Sequence, residues 1–154
     1  MKIENRLKEL NITMPALAKP GASFLDCRRV NNLLYLSGIV PINADGVPIK
    51  TGKLGSELTI EQGCELAKYC ATYALAVMQK ELGDLDRVVQ IVHMLAIVAA
   101  GPDFYEPHLV INAASDTLID VFGEKGKHTR FAFNTCSLAM NLPLEIQLTV
   151  EVKN

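Results

Sequence analysis

Tryptophan is absent from this sequence, and aromatic residues make up only 6% of it. A core must therefore be built mainly from alanine, valine, leucine and isoleucine, and the hydrophobic share of 49% is ample for a folded domain. An excess of either charge is also lacking, since the net charge is −2. Without a basic stripe, binding to nucleic acid or to an anionic membrane is not expected.

Long apolar runs are missing too, as none approaches the roughly 20 residues that span a bilayer. The charged start, Met1 to Arg6, does not resemble a signal peptide. Four cysteines are present without CxxC spacing, and we expect reduced thiols in a cytoplasmic protein. The 154 residues predict one domain over 1–154, in which residues 1–20 form an N-terminal extension of a short helix plus a loop.

Familiar site motifs are lacking as well. There is no GxGxxG, P-loop or GxSxG sequence, and the three histidines have no metal-binding spacing. His93 lies in an apolar segment and is interpreted as a core or interface residue. His128 is close to Arg130, but a solvated loop residue is the favoured interpretation.

Hydrophobic periodicity predicts the elements of the first half. Residues 2–10 form a short amphipathic helix, and residues 14–21 an extended loop. Ser23–Val30 and Leu33–Val40 form a hairpin around Asn31-Asn32, and Ser37-Gly38 interrupts its second strand. The sequence Thr59-Ile60-Glu61-Gln62 is a capping box, so a long helix runs from there to Leu82 and stops at Gly83.

The second half contains a strand over Arg87–Ala100 that is apolar on both faces, then a helix from Pro107 to Phe122. A polar loop over Gly123–Lys127 leads into strands at Phe131–Met140 and Leu144–Val152. If these last two strands form a hairpin, Arg130 and Glu145 lie together near its open end.

This order predicts an α+β fold, β-β-α-β-α-β-β, with a mostly antiparallel sheet and two helices on one face. Two helices cover only one face of such a sheet. The doubly apolar strand therefore predicts a homo-oligomer that buries the other face.

Arg130 and Glu145 are the main candidates for chemistry. Each has an ordinary interpretation, a surface charge for Arg130 and a solvent-side strand position for Glu145. The functional interpretations are a guanidinium fork that receives a small carboxylate, and a carboxylate that orients a water or moves a proton. Ser37 and Asn112 are weaker candidates, as a strand hydroxyl and a helix amide.

Several stretches resemble one known family over about Phe24 to Val152. They are Leu36-Ser37-Gly38-Ile39-Val40-Pro41-Ile42-Asn43, Asp45-Gly46, Gly83-Asp84-Leu85-Asp86-Arg87-Val88-Val89, Ile111-Asn112-Ala113, Thr129-Arg130 and Leu142-Pro143-Leu144-Glu145-Ile146. Glu145 follows Arg130 by fifteen residues, with Leu-Pro just before it. In these features the chain resembles the Rid family, also called YjgF or endoribonuclease L-PSP.

The resemblance implies a chorismate-mutase-like fold in a homotrimer, with sites in the clefts between subunits. It also implies hydrolysis of reactive enamines or imines, such as 2-aminoacrylate, to a 2-keto acid and ammonia, without a metal or organic cofactor. Arg130 would hold the substrate carboxylate with help from the backbone at Ala132, and Glu145 would orient the attacking water. Ser37, Gly38 and Asn112 would line the pocket.

Three positions depart from the family pattern: Phe24 replaces a pocket tyrosine, Phe131 a small polar residue, and Ala132 a cysteine. They indicate a divergent subgroup with a more apolar pocket, in which Phe24 and Phe131 contact the substrate. Two other functions stay open: a non-catalytic trimer that binds small carboxylic or 2-keto acids, and an L-PSP-type endoribonuclease that inhibits translation. An acidic chain is poorly suited to the second of these.

Overall fold

The computed structural model describes residues 2–154 and contains three helices and five strands. In chain order they are α1 (Lys2–Glu9), β1 (Cys27–Val30), β2 (Leu33–Leu36), α2 (Ile60–Leu82), β3 (Val88–Ala99), α3 (Pro107–Phe122), β4 (Thr129–Thr135) and β5 (Leu144–Val152). Short 3-10 turns occupy Leu85–Arg87, Gly123–Gly126 and Ala139–Asn141. The predicted α+β order is confirmed, and α1 is the predicted helix of the N-terminal extension.

The five strands form one sheet in the order β1-β2-β5-β3-β4. Three of the neighbouring pairs are antiparallel, and β3 with β4 is parallel, so the sheet is mixed. The predicted hairpin between the last two strands is wrong because β3 lies between them. The connection from β4 to β5 passes over the end of β3, where Ala99 N donates to Pro143 O and Ala100 N donates to Thr135 O. This arrangement pairs the long apolar strand on both of its edges.

Helix α2 packs closely on the sheet. Thr59 and Gln62 form the predicted capping box, and Gly83 ends the helix in the left-handed conformation at φ 75°. Small side chains on its buried face, at Ala67, Ala71 and Ala74, are fully buried. Beneath the helices the alternate residues of β5 are also fully buried, so the strand directs its intervening polar residues to the opposite face.

Three predicted strands are shorter than expected. The segment at Ser23–Val30 is regular only from Cys27, and the segment at Leu33–Val40 leaves the ladder after Leu36 and returns at a single bridge, Ile39 with Ile146. The segment at Phe131–Met140 begins earlier, at Thr129, and ends at Thr135. The predicted loop at Gly123–Lys127 is largely a 3-10 turn, in which buried Gly126 lies against the Leu118 backbone of α3.

The N-terminal extension packs on the body of the domain. Leu7 of α1 is buried, and Asp86 accepts hydrogen bonds from the backbone nitrogens of Lys2 and Ile3 at 2.8 and 2.9 Å. Farther along, Ala18 N donates to the hydroxyl of Tyr73 on α2 at 3.0 Å, and both residues are buried. The segment after α1 is therefore fixed over α2.

The sheet face away from the helices keeps exposed apolar side chains, among them Tyr35, Phe131 and Phe133. Phe131 and Phe133 meet edge to face, with ring centroids 5.4 Å apart. All four cysteines, which lie within residues 2–154, are free thiols. No helix in that range has the length and hydropathy to cross a membrane.

Candidate functional site

Arg130 lies on β4, the outer strand of the sheet, beside α3. Its Nη1 donates to Asn112 Oδ1 at 3.0 Å and to Ser115 Oγ at 3.1 Å. Asn112 and Ser115 are three residues apart on α3, so they occupy the same face of that helix. No carboxylate within residues 2–154 forms an ion pair with Arg130. The guanidinium is thus held by one nitrogen and keeps donors for an anionic ligand.

His128 belongs to the same cluster. Its Nε2 is 3.0 Å from Ser115 Oγ, and its Nδ1 is 2.7 Å from the Gly126 carbonyl oxygen. Burial lowers the pKa of His128 from its ordinary 6.5, and the positive charge of Arg130 lowers it further. The interpretation of His128 as a solvated loop residue is wrong, because alternation on an extended chain directs it to the same side as Arg130.

Glu145 forms a second cluster, around the point where the chain leaves β2. A Cβ atom at position 38 would overlap the Glu145 carboxylate, so Gly38 is required for the carboxylate to lie there. Burial raises the pKa of Glu145 above its ordinary 4.5. No hydrogen bond or ion pair from residues 2–154 holds this carboxylate, which makes it available to a water or a ligand.

A cleft of about 110 Å³ adjoins Gly38. Phe24, Ser37 and Gly38 all line it, together with Tyr73 of α2 and the N-terminal segment 18–21. The Ser37 hydroxyl donates to the Leu25 carbonyl, which holds the start of β1 against the cleft. Phe24 is 54% exposed, so its ring is accessible to a ligand or to a second subunit.

The two clusters do not meet within one chain. Arg130 bonds to α3 and lies in register with the fully buried Met94, so it is on the helix-covered face of the sheet. Glu145 alternates with the fully buried Leu144 and Ile146, so it is on the opposite face. The expected meeting of these two residues at one end of a hairpin is therefore wrong, since β3 separates their strands.

The remaining predicted positions divide between the same two faces. Ala132, two residues after Arg130, shares its face and packs against the core. Phe131 is 60% exposed and points to the face of Glu145. The structure therefore places Arg130, Asn112 and Ala132 on the helix-covered side of the sheet. Near the opposite face it places Glu145, Gly38, Ser37 and Phe24.

Sequence reasoning missed Ser115, Tyr73 and the segment 18–21. Ser115 follows Asn112 by three residues, and helical spacing is a signal that was available. Contact between the N-terminal segment and α2 has no comparable signal, because it depends on how the chain returns across the domain.

A family model described as "YjgF/chorismate_mutase-like, putative endoribonuclease" matches residues 4–152. "Protein TCP17" of Trypanosoma cruzi is 36% identical over 99% of this chain and 96% of its own length. Atu1372 of Agrobacterium tumefaciens, a protein of unknown function, has a solved structure that is 37% identical, with a TM-score of 0.90 over 99% of this chain and 93% of that chain. A "putative endoribonuclease" from Shewanella oneidensis is 25% identical, with a TM-score of 0.92 over 97% and 99% of the two chains.

Proposed function

Because the chain belongs to the YjgF/chorismate mutase-like (Rid) family, we propose that it hydrolyses small imines or enamines that carry a carboxylate. The products are a 2-keto acid and ammonia, and the reaction needs no cofactor. The observation that carries this proposal is that Arg130 and Glu145 lie on opposite faces of the sheet. Arg130 keeps hydrogen-bond donors, and Glu145 keeps acceptors, for a ligand. A homotrimer in which Arg130 of one subunit faces Glu145 of the next completes the site.

Arg130 binds the substrate carboxylate. Asn112 and Ser115 fix one nitrogen of the guanidinium, and its other donors match the geometry of a carboxylate. Fixing the substrate at this end places the imine carbon at a set distance from the cation. Positioning of this kind suffices for a modest rate increase, because a protonated imine is already electrophilic.

Glu145 acts on water. Its partly buried carboxylate has a raised pKa, which makes it a better proton acceptor than an exposed carboxylate. The water oxygen adds to the imine carbon, the C=N electron pair moves to nitrogen, and Glu145 takes the proton that the water loses. Glu145 then returns this proton to the nitrogen and accepts the hydroxyl proton as the C–N bond breaks, so that ammonia leaves as the carbonyl forms, and Glu145 finally releases the proton to solvent.

An assay with a panel of imines tests the proposal. An amino-acid oxidase generates imines from different amino acids, and semicarbazide traps those that escape hydrolysis. Wild type should reduce trapping for at least one amino acid. In Arg130→Ala this reduction should be at least tenfold smaller, while the oligomeric state is kept. Equal trapping with and without wild type across the panel would contradict catalysis and favour a trimer that only binds small acids.

Endoribonuclease activity is a second candidate, because the family description and the Shewanella relative both carry that term. An anionic chain with no basic stripe gives it little electrostatic support. RNA cleavage that copurifies with the protein and disappears in Arg130→Ala would support it. Cleavage that separates from the protein during chromatography would exclude it.

A further inference from the structure

We propose that Ser115 and His128 are positioning residues that orient the Arg130 guanidinium for a carboxylate ligand. The inference deepens the proposed function and rests on it. Four groups form a continuous hydrogen-bonded series. Arg130 Nη1 is 3.1 Å from Ser115 Oγ, Ser115 Oγ is 3.0 Å from His128 Nε2, and His128 Nδ1 is 2.7 Å from the Gly126 carbonyl oxygen.

The chemistry of the two ends fixes the direction of every hydrogen bond in this series. A carbonyl oxygen only accepts, so His128 Nδ1 carries a proton and donates to Gly126. In a neutral imidazole Nε2 then accepts, and the Ser115 hydroxyl donates to it. A guanidinium only donates, so Ser115 Oγ accepts from Arg130 with a remaining lone pair.

The series keeps the Ser115 hydroxyl proton away from the ligand. A serine beside a carboxylate site can rotate and donate to the carboxylate, and its oxygen then turns away from the arginine. His128 takes that proton, so the oxygen lone pair stays directed at Arg130. With Asn112 as the second acceptor, Nη1 has two fixed partners, and the planar guanidinium presents Nη2 and Nε to the ligand.

Protonation of His128 reverses the bond to Ser115. The charged or titratable groups that act on His128 are Arg130 on β4 and His93 on β3, while α3 presents Ser115 and the preceding turn presents the Gly126 carbonyl. In that turn Glu124 and Lys127 pair with each other at 2.7 Å and are solvated. Once His128 is protonated, its Nε2 becomes a donor that competes with Arg130 for the Ser115 oxygen, and the Ser115 hydroxyl proton loses its acceptor. Carboxylate affinity should therefore be present above the lowered pKa of His128 and fall as the pH drops through it.

Binding of pyruvate, measured by titration calorimetry between pH 5 and 8, tests this proposal without requiring turnover. At pH 7.5, Ser115→Ala and His128→Ala should each weaken binding about fivefold to tenfold, the effect of losing one hydrogen bond of ordinary strength from the series. Arg130→Ala should abolish binding. The loss of affinity at pH values below 6.5 should be present in wild type and absent in His128→Ala. The matched control, His108→Ala, changes an exposed histidine on α3 and should retain the wild-type profile.

Nitrogen-15 shifts of the histidine rings in wild type give a second readout that does not depend on how the variants fold. His128 should be the neutral form with its proton on Nδ1 at pH 7.5. A proton on Nε2 would overturn the positioning role and leave the proposed function intact. The same conclusion would follow if Ser115→Ala and His128→Ala keep the wild-type pyruvate affinity while Arg130→Ala fails to bind. Absence of pyruvate binding to wild type, or equal binding to Arg130→Ala, would refute the carboxylate site and both proposals with it.

Discussion

At the scale of single residues, the Glu145 carboxylate occupies the space beside Gly38 that a side chain would fill. The chain leaves β2 after Leu36, and the bare backbone of Gly38 leaves room for the Glu145 carboxylate. A side chain at position 38 would compete for the same space. The glycine therefore controls where the proposed proton acceptor lies.

Gly38→Ala should reduce kcat/KM for imine hydrolysis at least tenfold, because the Glu145 carboxylate must swing away from the new methyl group. The free energy of unfolding should change by less than about 1 kcal/mol, because the displaced group is the end of a flexible side chain. Kinetics and chemical denaturation measure the two effects. In a Glu145→Ala background the same glycine substitution should have little further effect, and fully additive losses would contradict the steric account.

Glu145→Gln should abolish turnover and raise the stability of the protein at pH 7. The folded-state pKa of Glu145 is above its unfolded value, so folding favours the protonated acid. The stabilisation that this acid contributes is complete below about pH 4.5, and it is lost as the pH rises through the folded-state pKa. Thermal unfolding should show a higher midpoint for the variant than for wild type at pH 7 and a smaller difference at pH 4. A lower midpoint at pH 7 would contradict the burial of an ionised carboxylate.

At this scale the resemblance of a few motifs to a known family led to Arg130, Glu145, Ser37, Gly38 and Asn112 as candidate site residues. It did not select Ser115 and His128, because their roles depend on a hydrogen bond between a helix and the start of a strand. A serine in a helix and a histidine near a turn are both common surface residues, and only the fold brings them to Arg130.

At the scale of elements, the N-terminal segment forms a wall of the cleft beside Gly38. Its backbone is attached to α2 through one buried hydrogen bond, from Ala18 N to the Tyr73 hydroxyl. This contact joins the N-terminal segment to the cleft at Gly38.

Tyr73→Phe should destabilise the domain by about 1–2 kcal/mol, since it leaves the buried Ala18 nitrogen without its acceptor. It should also open the cleft and increase protease cleavage between residues 14 and 21. Limited proteolysis and denaturation measure these effects. The matched control is Tyr105→Phe, which removes the hydroxyl of a tyrosine that is 76% exposed. If both variants behave alike, the segment is not held by Tyr73.

The boundaries of α2, α3 and β5 could be read from the sequence because local signals define them: a capping box and glycine stop, a proline at the first turn, and strict alternation. The position of β3 between β4 and β5 could not, because pairing between strands depends on contacts distant in sequence. The long apolar strand gains partners on both edges from this insertion, and the loop that joins β4 to β5 is long enough to cross it.

At the scale of the whole molecule, the sheet face away from the helices is the main apolar surface that a single chain leaves exposed. Leu95 of β3 lies there between Phe131 and Gln147, and Phe131 and Phe133 are exposed beside it. An apolar sheet face of this kind needs a partner in water. Three copies of the chain, with these faces turned inward, would bury it.

Leu95→Asp should convert the proposed trimer to a monomer, because it places a charge at the centre of this face. Light scattering coupled to gel filtration should give three times the mass of one chain for wild type and a single-chain mass for the variant. Val47→Asp is the control, since Val47 is an apolar residue that is 54% exposed in a turn away from the sheet. A trimer that persists in Leu95→Asp would mean that another surface holds the subunits together.

Complementation between two inactive variants tests most directly whether Arg130 and Glu145 act together across a subunit boundary. Arg130→Ala and Glu145→Gln should each be inactive alone, and mixed trimers formed by joint refolding would contain some boundaries with both native residues. Random mixing in a ring should restore about a quarter of the wild-type imine hydrolysis. No activity above that of the separate variants, in trimers shown to be mixed, would contradict a site shared between subunits.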